Sequence, residues 1–430
     1  MKNFQIIFIF IFIVAAIFGM LVFSGAIPLG GDDQEGGQGT VILWGTFRAD
    51  ALNTVLEEFN TANPSIIVKY VQKNPLTFDQ DLLEALASST GPDLFFLPAD
   101  LAFHYRNKIL AVPYQNYSVT SFQNTFVGGG EVFLNSKGIM AFPMMIDPLV
   151  MYYNRSTLDA NSIAYPPKTW EEFVSMVPIL TKRDDANKII KSSVAMGHFS
   201  NVFHAKDILS TLFMQAGNRI VKEQAGVFAP DLGAVSAGPY SADKILEFYT
   251  SFADPQKSVY SWNKSFPLSR DYFSTDNLAF YFGYASELQG LINKNPNQNF
   301  LVAEMPQIKG SNFKLTYAKV TGLAISAFSK NADTAFYVAD QMSRGDFLEK
   351  LSKSLGVVPA RRDLLQGKTD DPYYPTFYTS AFYARSWLDP SDGDTDVIFS
   401  RMIDGVLSNS FSTSDAIVDA RNKMSLLLNK

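Results

Sequence analysis

Residues 40–97 read TVILWGTFRADALNTVLEEFNTANPSIIVKYVQKNPLTFDQDLLEALASSTGPDLFFL. Thr40 to Trp44 is a short apolar, β-branched run suited to a buried strand. Leu52, Val55, Leu56 and Phe59 then recur at i, i+3, i+4 and i+7, the stripe of an amphipathic helix, with Asp50 placed to cap it. Asn63-Pro64 stops that helix, and IIVKYV at 66–71 predicts a second strand. Phe78, Leu82 and Leu86 mark a second helix that ends at Gly91-Pro92, and DLFFL at 93–97 predicts a third buried strand. The order β-α-β-α-β implies a parallel sheet with right-handed crossovers. Ligands of such sheets sit outside the carboxyl ends of the strands. That rule alone directs attention to Phe47-Arg48 and to residues 98–101. Asp93, at a strand start, is expected to satisfy backbone amides.

Working outward, the 430 residues leave room for two cored domains once about forty leading positions are set aside. With 47% hydrophobic and 18% charged residues, the chain is neither disordered nor collagen-like. A net charge of −6 argues against a broad nucleic-acid surface, which needs an excess of Lys and Arg on one face. Cysteine is absent, which removes disulfides, thiolate zinc sites, Fe–S clusters and cysteine nucleophiles. Three histidines (His104, His198, His204) do not suggest a His-rich metal centre, and no cofactor is expected.

The run FQIIFIFIFIVAAIFGMLVF at 4–23 is long enough, at 1.5 Å per residue, for a hydrocarbon core of about 30 Å. Lys2 precedes it, while Asp32, Asp33 and Glu35 follow, so the bias of positive residues towards the cytoplasm exports the rest of the chain. Residues 1–26 are read as a transmembrane anchor, since signal-peptide cores run only about 7–15 residues. Ser24-Gly25-Ala26 offers a cleavage site, so a removable signal is the alternative. Residues 27–39, with GGDDQEGGQG at 30–39, form a flexible tether. No Lys-Ser/Thr pair follows these glycines, which rejects a phosphate loop.

Beyond residue 138, Thr169-Trp170-Glu171-Glu172 has capping-box spacing, and Phe173, Met176, Val177 and Leu180 form the stripe behind it. Residues 278–282 and 300–304 read as strands, and Phe336, Ala339 and Met342, then Leu348, Leu351 and Leu355, as late helices broken at Gly356. No repeat of fixed period is present.

These segments resemble the extracellular solute-binding proteins of the sugar-binding group, to which maltose-binding proteins belong. The likeness rests on residues 40–97 and above all on GIMAFPMMIDPLVMYYNRSTLDANSIAYPPKTWEEFVSMVPIL at 138–180. AFYFGYASEL at 279–288, NFLVAEMPQIKG at 299–310, KVTGLAISAFSKN at 319–331 and GVVPARRDLL at 356–365 follow in order. The resemblance implies an α/β, two-lobed periplasmic-binding-protein-like fold with hinge strands. Lobe one would be 40–146 plus 304–355 and lobe two 147–303 plus 356–430, with crossings near 146–149, 300–306 and 356–361. It also implies a monomer that binds a small solute, a mono- or oligosaccharide, by closing on it. Permease subunits of an ABC transporter would receive the solute.

Sugars present hydroxyls around apolar ring faces, so their sites combine aromatic platforms with planar polar groups. Among such groups the resemblance implies Phe47, Arg48, Asp100 and Asp147 as candidates in the first lobe or at its crossing. Leu97 and Leu101 depart from the aromatic and arginine of maltose-binding relatives, which puts maltodextrin itself in doubt. Asn201, His204, Tyr284 and Trp387 are the candidates in the second lobe, while Trp170 and Trp262 are expected in the core. The carboxylates of DPSDGDTD at 389–396 lack the glycine and terminal glutamate of an EF-hand and read as a solvated acidic loop rather than a calcium site. No G-x-S-x-G, H-E-x-x-H or zinc spacing points to catalysis. A tethered sensor or adhesion protein without a transporter, and a carbohydrate-active enzyme with two distant carboxylates, are the competing readings.

Overall fold

In a computed structural model, residues 38–429 are described, apart from 225, 236 and 368. The apolar run at 4–23 and the tether up to residue 37 lie outside the described residues. Among the described residues no helix is long and apolar enough to cross a membrane.

The opening alternation folds as its periodicities require. Strand β1 (Gly39–Gly45), helix α1 (Ala49–Ala62), β2 (Ile66–Gln72), α2 (Phe78–Ala87) and β3 (Leu94–Pro98) follow one another. β1 lies between β2 and β3 and runs parallel to both, with Val41 opposite Val68 and Leu43 opposite Leu94. α1 buries Ala51, Leu52, Val55 and Leu56 on this sheet. Its start differs from expectation. Arg48 occupies the capping position without a side-chain cap, and Asp50 lies within the first turn, where its charge complements the helix dipole. Asp93 ties the layer together: its Oδ2 accepts the Ile42 amide at 2.9 Å and its Oδ1 the Ser329 hydroxyl at 2.6 Å.

The second half supplies β4 (Ala141–Asn154), α3 (Trp170–Leu180), β5 (Ile189–Val194), α4 (Ala205–Gln215), β6 (Leu278–Tyr284), β7 (Phe300–Ala303) and β8 (Thr316–Ile325). Thr169 caps α3, its Oγ1 accepting the Glu172 amide at 3.3 Å, while Glu172 reaches back to the Lys168 amide at 2.8 Å. β8 joins the halves: it lies antiparallel between β3 and β4. β4 changes partners along its length. Residues 141–148 pair with β8, residues 149–153 with β6, and residues 151–154 with β7 on the other side. Its register against β8 slips between Thr321 and Gly322, and the Met144 carbonyl instead accepts the Ala360 amide at 2.9 Å. The Ile146 amide likewise donates to Val358 O at 2.9 Å.

Helices α5 (Ala332–Met342) and α6 (Gly345–Leu355) return to the first layer. Gly356, at φ +65°, ends α6 in the left-handed region, and the Val357 amide closes the turn on Ser352 O at 3.0 Å. Helices α7 (Tyr374–Tyr383), α8 (Asp392–Leu407) and α9 (Thr413–Leu428) complete the second half. The buried side chains form two clusters, of which the larger also takes in Phe78, Leu82, Phe95 and Leu97 from the first half. One core contains Val41, Leu52, Leu94, Leu323, Val338 and Leu348, the other Tyr152, Phe173, Leu209, Trp262, Phe282 and Phe399. The molecule is an α/β protein of two lobes joined by the β4–β8 crossing.

At that crossing Gly322 permits a close approach of strand and helical turn. A Cβ there would lie 2.7 Å from the Ala141 Cβ and 2.8 Å from the Phe133 ring. Gly322→Ala should therefore cost about 1–3 kcal/mol through overpacking, read as a lower midpoint in urea unfolding with an unchanged slope.

Candidate functional site

Register and strand period position the groups at the crossing. Lys319 on β8 stands opposite Asp147 on β4, and Thr321 shares the face of Lys319. A cavity of about 570 Å³ opens there, with Tyr317, Lys319 and Thr321 among its lining residues. Pro98, Ala99 and Asp100, following β3, line it from the first lobe. From the second lobe come Phe199, Ser200 and residues 202–207, entering α4, with Leu268 and the α8 residues Asp392 and Asp396. The cavity thus lies at the carboxyl end of β3 and between the lobes, where parallel sheets receive ligands.

Two buried charge networks shape the second-lobe wall. His204 precedes α4 with φ +64°, a left-handed conformation that costs a non-glycine residue about 1–2 kcal/mol and is held by its contacts. Its Nε2 lies 2.6 Å from Glu287 Oε1, and its ring meets the Tyr284 ring edge-on with centroids 4.6 Å apart. Glu287 also accepts the Tyr281 hydroxyl at 2.6 Å and the Tyr284 amide at 2.8 Å. The Tyr284 hydroxyl donates to Asp207 Oδ2 at 2.7 Å, and His204 Nδ1 lies 3.7 Å from the same oxygen. Burial alone would lower the His204 pKa, but the bonds to Asp207 and Glu287 outweigh it and raise it. Burial likewise opposes ionisation of Asp207 and Glu287, yet the His204 bond carries both below the usual carboxylate range. The surroundings thus favour the charged form of the imidazole between two carboxylates.

The second network is built on Lys206. Its ammonium lies 3.2 Å from Asp389, 2.5 Å from Asp392 and 2.9 Å from Asp396. Burial would lower the Lys206 pKa, but Asp389 and Asp392 hold it well above its ordinary value. Across the cavity, Asp100 is pushed up to about 6 by burial and by the charges of Asp392 and Asp389, with Lys319 opposing. Its Oδ1 is sealed from solvent and has no hydrogen-bond partner. Asp147 is also raised to about 6, by burial, although its Oδ1 accepts the Ser286 amide at 2.9 Å.

The family model described as bacterial extracellular solute-binding protein matches residues 54–376. The chain belongs to that family. No curated protein sequence matches this solute-binding protein. Among solved structures, a cyclo/maltodextrin-binding protein complexed with maltotetraose superposes with a TM-score of 0.73 at 17% identity, over 91% of this chain and 98% of its own. The cyclic α-maltosyl-1,6-maltose binding protein from Arthrobacter globiformis gives 0.74 at 14%, over 91% and 99%. The maltose/maltodextrin-binding domain MalE from Bdellovibrio bacteriovorus, bound to maltotriose, gives 0.63 at 14%, over 91% and 100%. These likenesses establish the two-lobed periplasmic-binding-protein-like fold.

The candidates chosen from sequence fall in different places. Asp100 and His204 line the cavity, Asp147 faces Lys319 beside it, and Tyr284 stands behind His204 and under the Lys319 ammonium, 4.8 Å from its ring centre. Phe47 and Arg48 are not among the lining residues. Phe47 packs edge-on against Phe96 with centroids 4.9 Å apart, and the exposed Arg48 lies 3.8 Å from Asp50. Asn201 is buried and fully engaged: it accepts the Trp262 indole N–H at 3.0 Å and donates to Asn263 O and Phe266 O. Trp170 and Trp262 are core residues, as expected.

Trp387 departs most from the sequence reading. Residues 384–385 pair with Thr316 and Tyr317, which draws the following indole inward to stack on Phe399, 6.4 Å away with planes 21° apart. Trp387 borders a second cavity between the lobes, of about 730 Å³, at the other end of α4, lined by Gly128, Glu131 and Leu134 from the first lobe and by Met214 and Gly217 from the second. The stretch 389–396 is likewise no solvated loop: Asp389 is buried and residues from 392 onward are helical. Sequence reasoning missed Lys206, Asp207, Glu287 and Lys319. A usable signal was present in the four-residue spacing of Asp392 and Asp396, which puts both on one helix face.

Two outcomes are expected. A raised pKa makes the His204 contribution to stability present at low pH and lost as pH rises through it, while the depressed Asp207 and Glu287 contributions are lost on acidification. NMR titration of the imidazole protons should show His204 still charged above pH 6.5, with His198, desolvated and near Lys264, neutral down to about 4; the reverse order would refute the charged network. Trp387→Ala should cost about 3–5 kcal/mol of stability without solute, whereas a small loss with weakened binding would return Trp387 to the site.

Proposed function

We propose that this protein captures a small sugar, a mono- or oligosaccharide, outside the cytoplasm by closing its lobes, and delivers it to the permease subunits of an ABC transporter. The observation that carries the reading is the cavity between the lobes, lined by Asp100 from one side and by His204, Asp207 and Asp392 from the other. Phe199, Phe203 and Tyr317 add apolar faces among these polar groups, the mixture that sugar rings require. The neighbours of known structure include proteins solved with maltotetraose, maltotriose and mannotriose, which supports an oligosaccharide here. In this reading Asp100 and Lys319 contact solute directly, and Asp147, His204 and Tyr284 hold the wall in shape. The lobes are 40–146 with 304–355 and 147–303 with 356–430, and they hinge where β4 changes partners.

The chain acts as a monomer that binds without turnover. In this reading residues 1–26 anchor it to the membrane, and the Gly-rich acidic stretch that follows tethers the folded part. Protease added from outside should release the folded part from membranes; recovery of a product starting at Ile27 would show a cleaved signal instead.

Native mass spectrometry of the purified full chain, followed by thermal unfolding with maltotetraose, maltotriose and mannotriose, tests the binding. A bound solute raises the midpoint with concentration, since it stabilises the folded state by RT ln(1 + [L]/Kd), and small-angle scattering should show compaction. Glycan cleavage on prolonged incubation would favour the enzyme reading. A retained solute that is not a saccharide would overturn the sugar assignment.

A further inference from the structure

We propose that the solute of this cleft carries a protonated amine, as an amino sugar does, and that Asp100 holds it together with Asp392 and Asp396. The inference rests on the reading of the cleft as the solute site and narrows the class of solute. Its first support is a charge imbalance. Three carboxylates, Asp389, Asp392 and Asp396, converge on the single ammonium of Lys206. Asp100 adds a fourth carboxylate to the same corner; of the other cations lining the cavity, His204 is matched by Asp207 and Glu287, and Lys319 is engaged over the Tyr284 ring. Four carboxylates thus face two ammonium groups.

The second support is the state of Asp100 itself. Its Oδ1 is sealed and lacks a partner, although an unpaired buried acceptor is unfavourable. Lys206 is already spent on the facing acids. Asp392 and Asp396 keep side chains 57% and 47% exposed and border the same cavity. The exposed carboxylates beside Asp100 leave this corner open to a donor that arrives with the ligand.

Hydroxyl groups and amines both donate to carboxylates, but they differ on closure. Excluding water strengthens every charge interaction left inside. A neutral sugar would leave two surplus negative charges facing each other in that drier space. An ammonium brings three donors and a positive charge, and removes half of the surplus. The apolar faces of Phe199, Phe203 and Tyr317 in the same cavity favour an amine borne on a sugar ring over a bare polyamine.

Calorimetry on the full chain in detergent should compare glucosamine, N-acetylglucosamine and glucose, their β-1,4-linked tetramers, maltotetraose and spermidine. At least one amine-bearing saccharide should bind tenfold or more tightly than its acetylated and neutral counterparts. Asp100→Asn should reduce that preference to threefold or less, and Asp392→Asn with Asp396→Asn, both at exposed side chains, should weaken it similarly. Thermal midpoints of the unliganded variants check that they fold. Equal or tighter binding of a neutral or acetylated counterpart overturns the amine inference while leaving the sugar reading intact. Binding of spermidine with no saccharide bound overturns both the amino-sugar assignment and the sugar reading. Lack of response to every amine-bearing probe overturns the inference.

Discussion

Everything that matters in this molecule depends on one strand that changes partners. β4 begins against β8, beside the first lobe's core, and ends between β6 and β7 in the second. Backbone amides and carbonyls must stay paired when buried, so Met144 and Ile146 need a partner besides β8 before the β6 ladder starts at Leu149. The Val358–Ala360 segment supplies it, accepting from Ile146 and donating to Met144. Pro143 and Pro148, which have no amide to pair, flank the transition and lower its demand. β4 thus stays paired throughout the crossing, and the places where it changes partners, rather than any unpaired stretch, are where bending can occur while both lobes stay rigid.

The same crossing sets the chemistry. Cross-strand register brings Asp147 opposite Lys319, and the cleft opens on that face. Charge then accumulates on the second-lobe wall in two forms. The His204, Asp207 and Glu287 network is nearly closed on itself, since each member has its partner and Tyr281 and Tyr284 complete it. The Lys206 network is open, because Asp392 and Asp396 remain half exposed at the cavity. A closed network positions, whereas an open one can still accept a ligand. Buried charge pairs seldom add net stability over well-packed apolar groups, so their concentration beside a cavity is better understood as serving recognition.

Much of the fold was legible because its signals are local. In residues 40–97 each strand and helix announces itself by period two or 3.6, and Gly356 marks the end of α6 by the one conformation a glycine takes most readily. The site was legible only in part. The sheet rule directed attention to the loop holding Asp100, and the family resemblance to Asp100 itself and to His204. Trp387 misled because its burial depends on a two-residue pairing of Ala384-Arg385 with β8, too short to leave a periodic trace. Asp389 to Asp396 misled because Pro390 and Gly393 disguise a helix start.

Lys206 shows why the remainder could not be read. It lies 183 residues from Asp389, and lysines on helices usually point to water. Nothing near it in sequence signals that three acids will surround it. Long-range charge pairing of this kind has no period and no fixed spacing, unlike the apolar stripe that announces a core. Its existence follows only when α4 and α8 are packed side by side, and that packing is decided by Ile208, Leu212, Phe399 and Met402, all of them buried apolar residues. The hydrophobic pattern therefore fixes which helices meet, and the meeting then brings together charges whose combination sets what the cleft can hold. In a binding protein of this shape, fold is legible before specificity for that reason: the first is written in neighbours along the chain, and the second in neighbours that the fold creates.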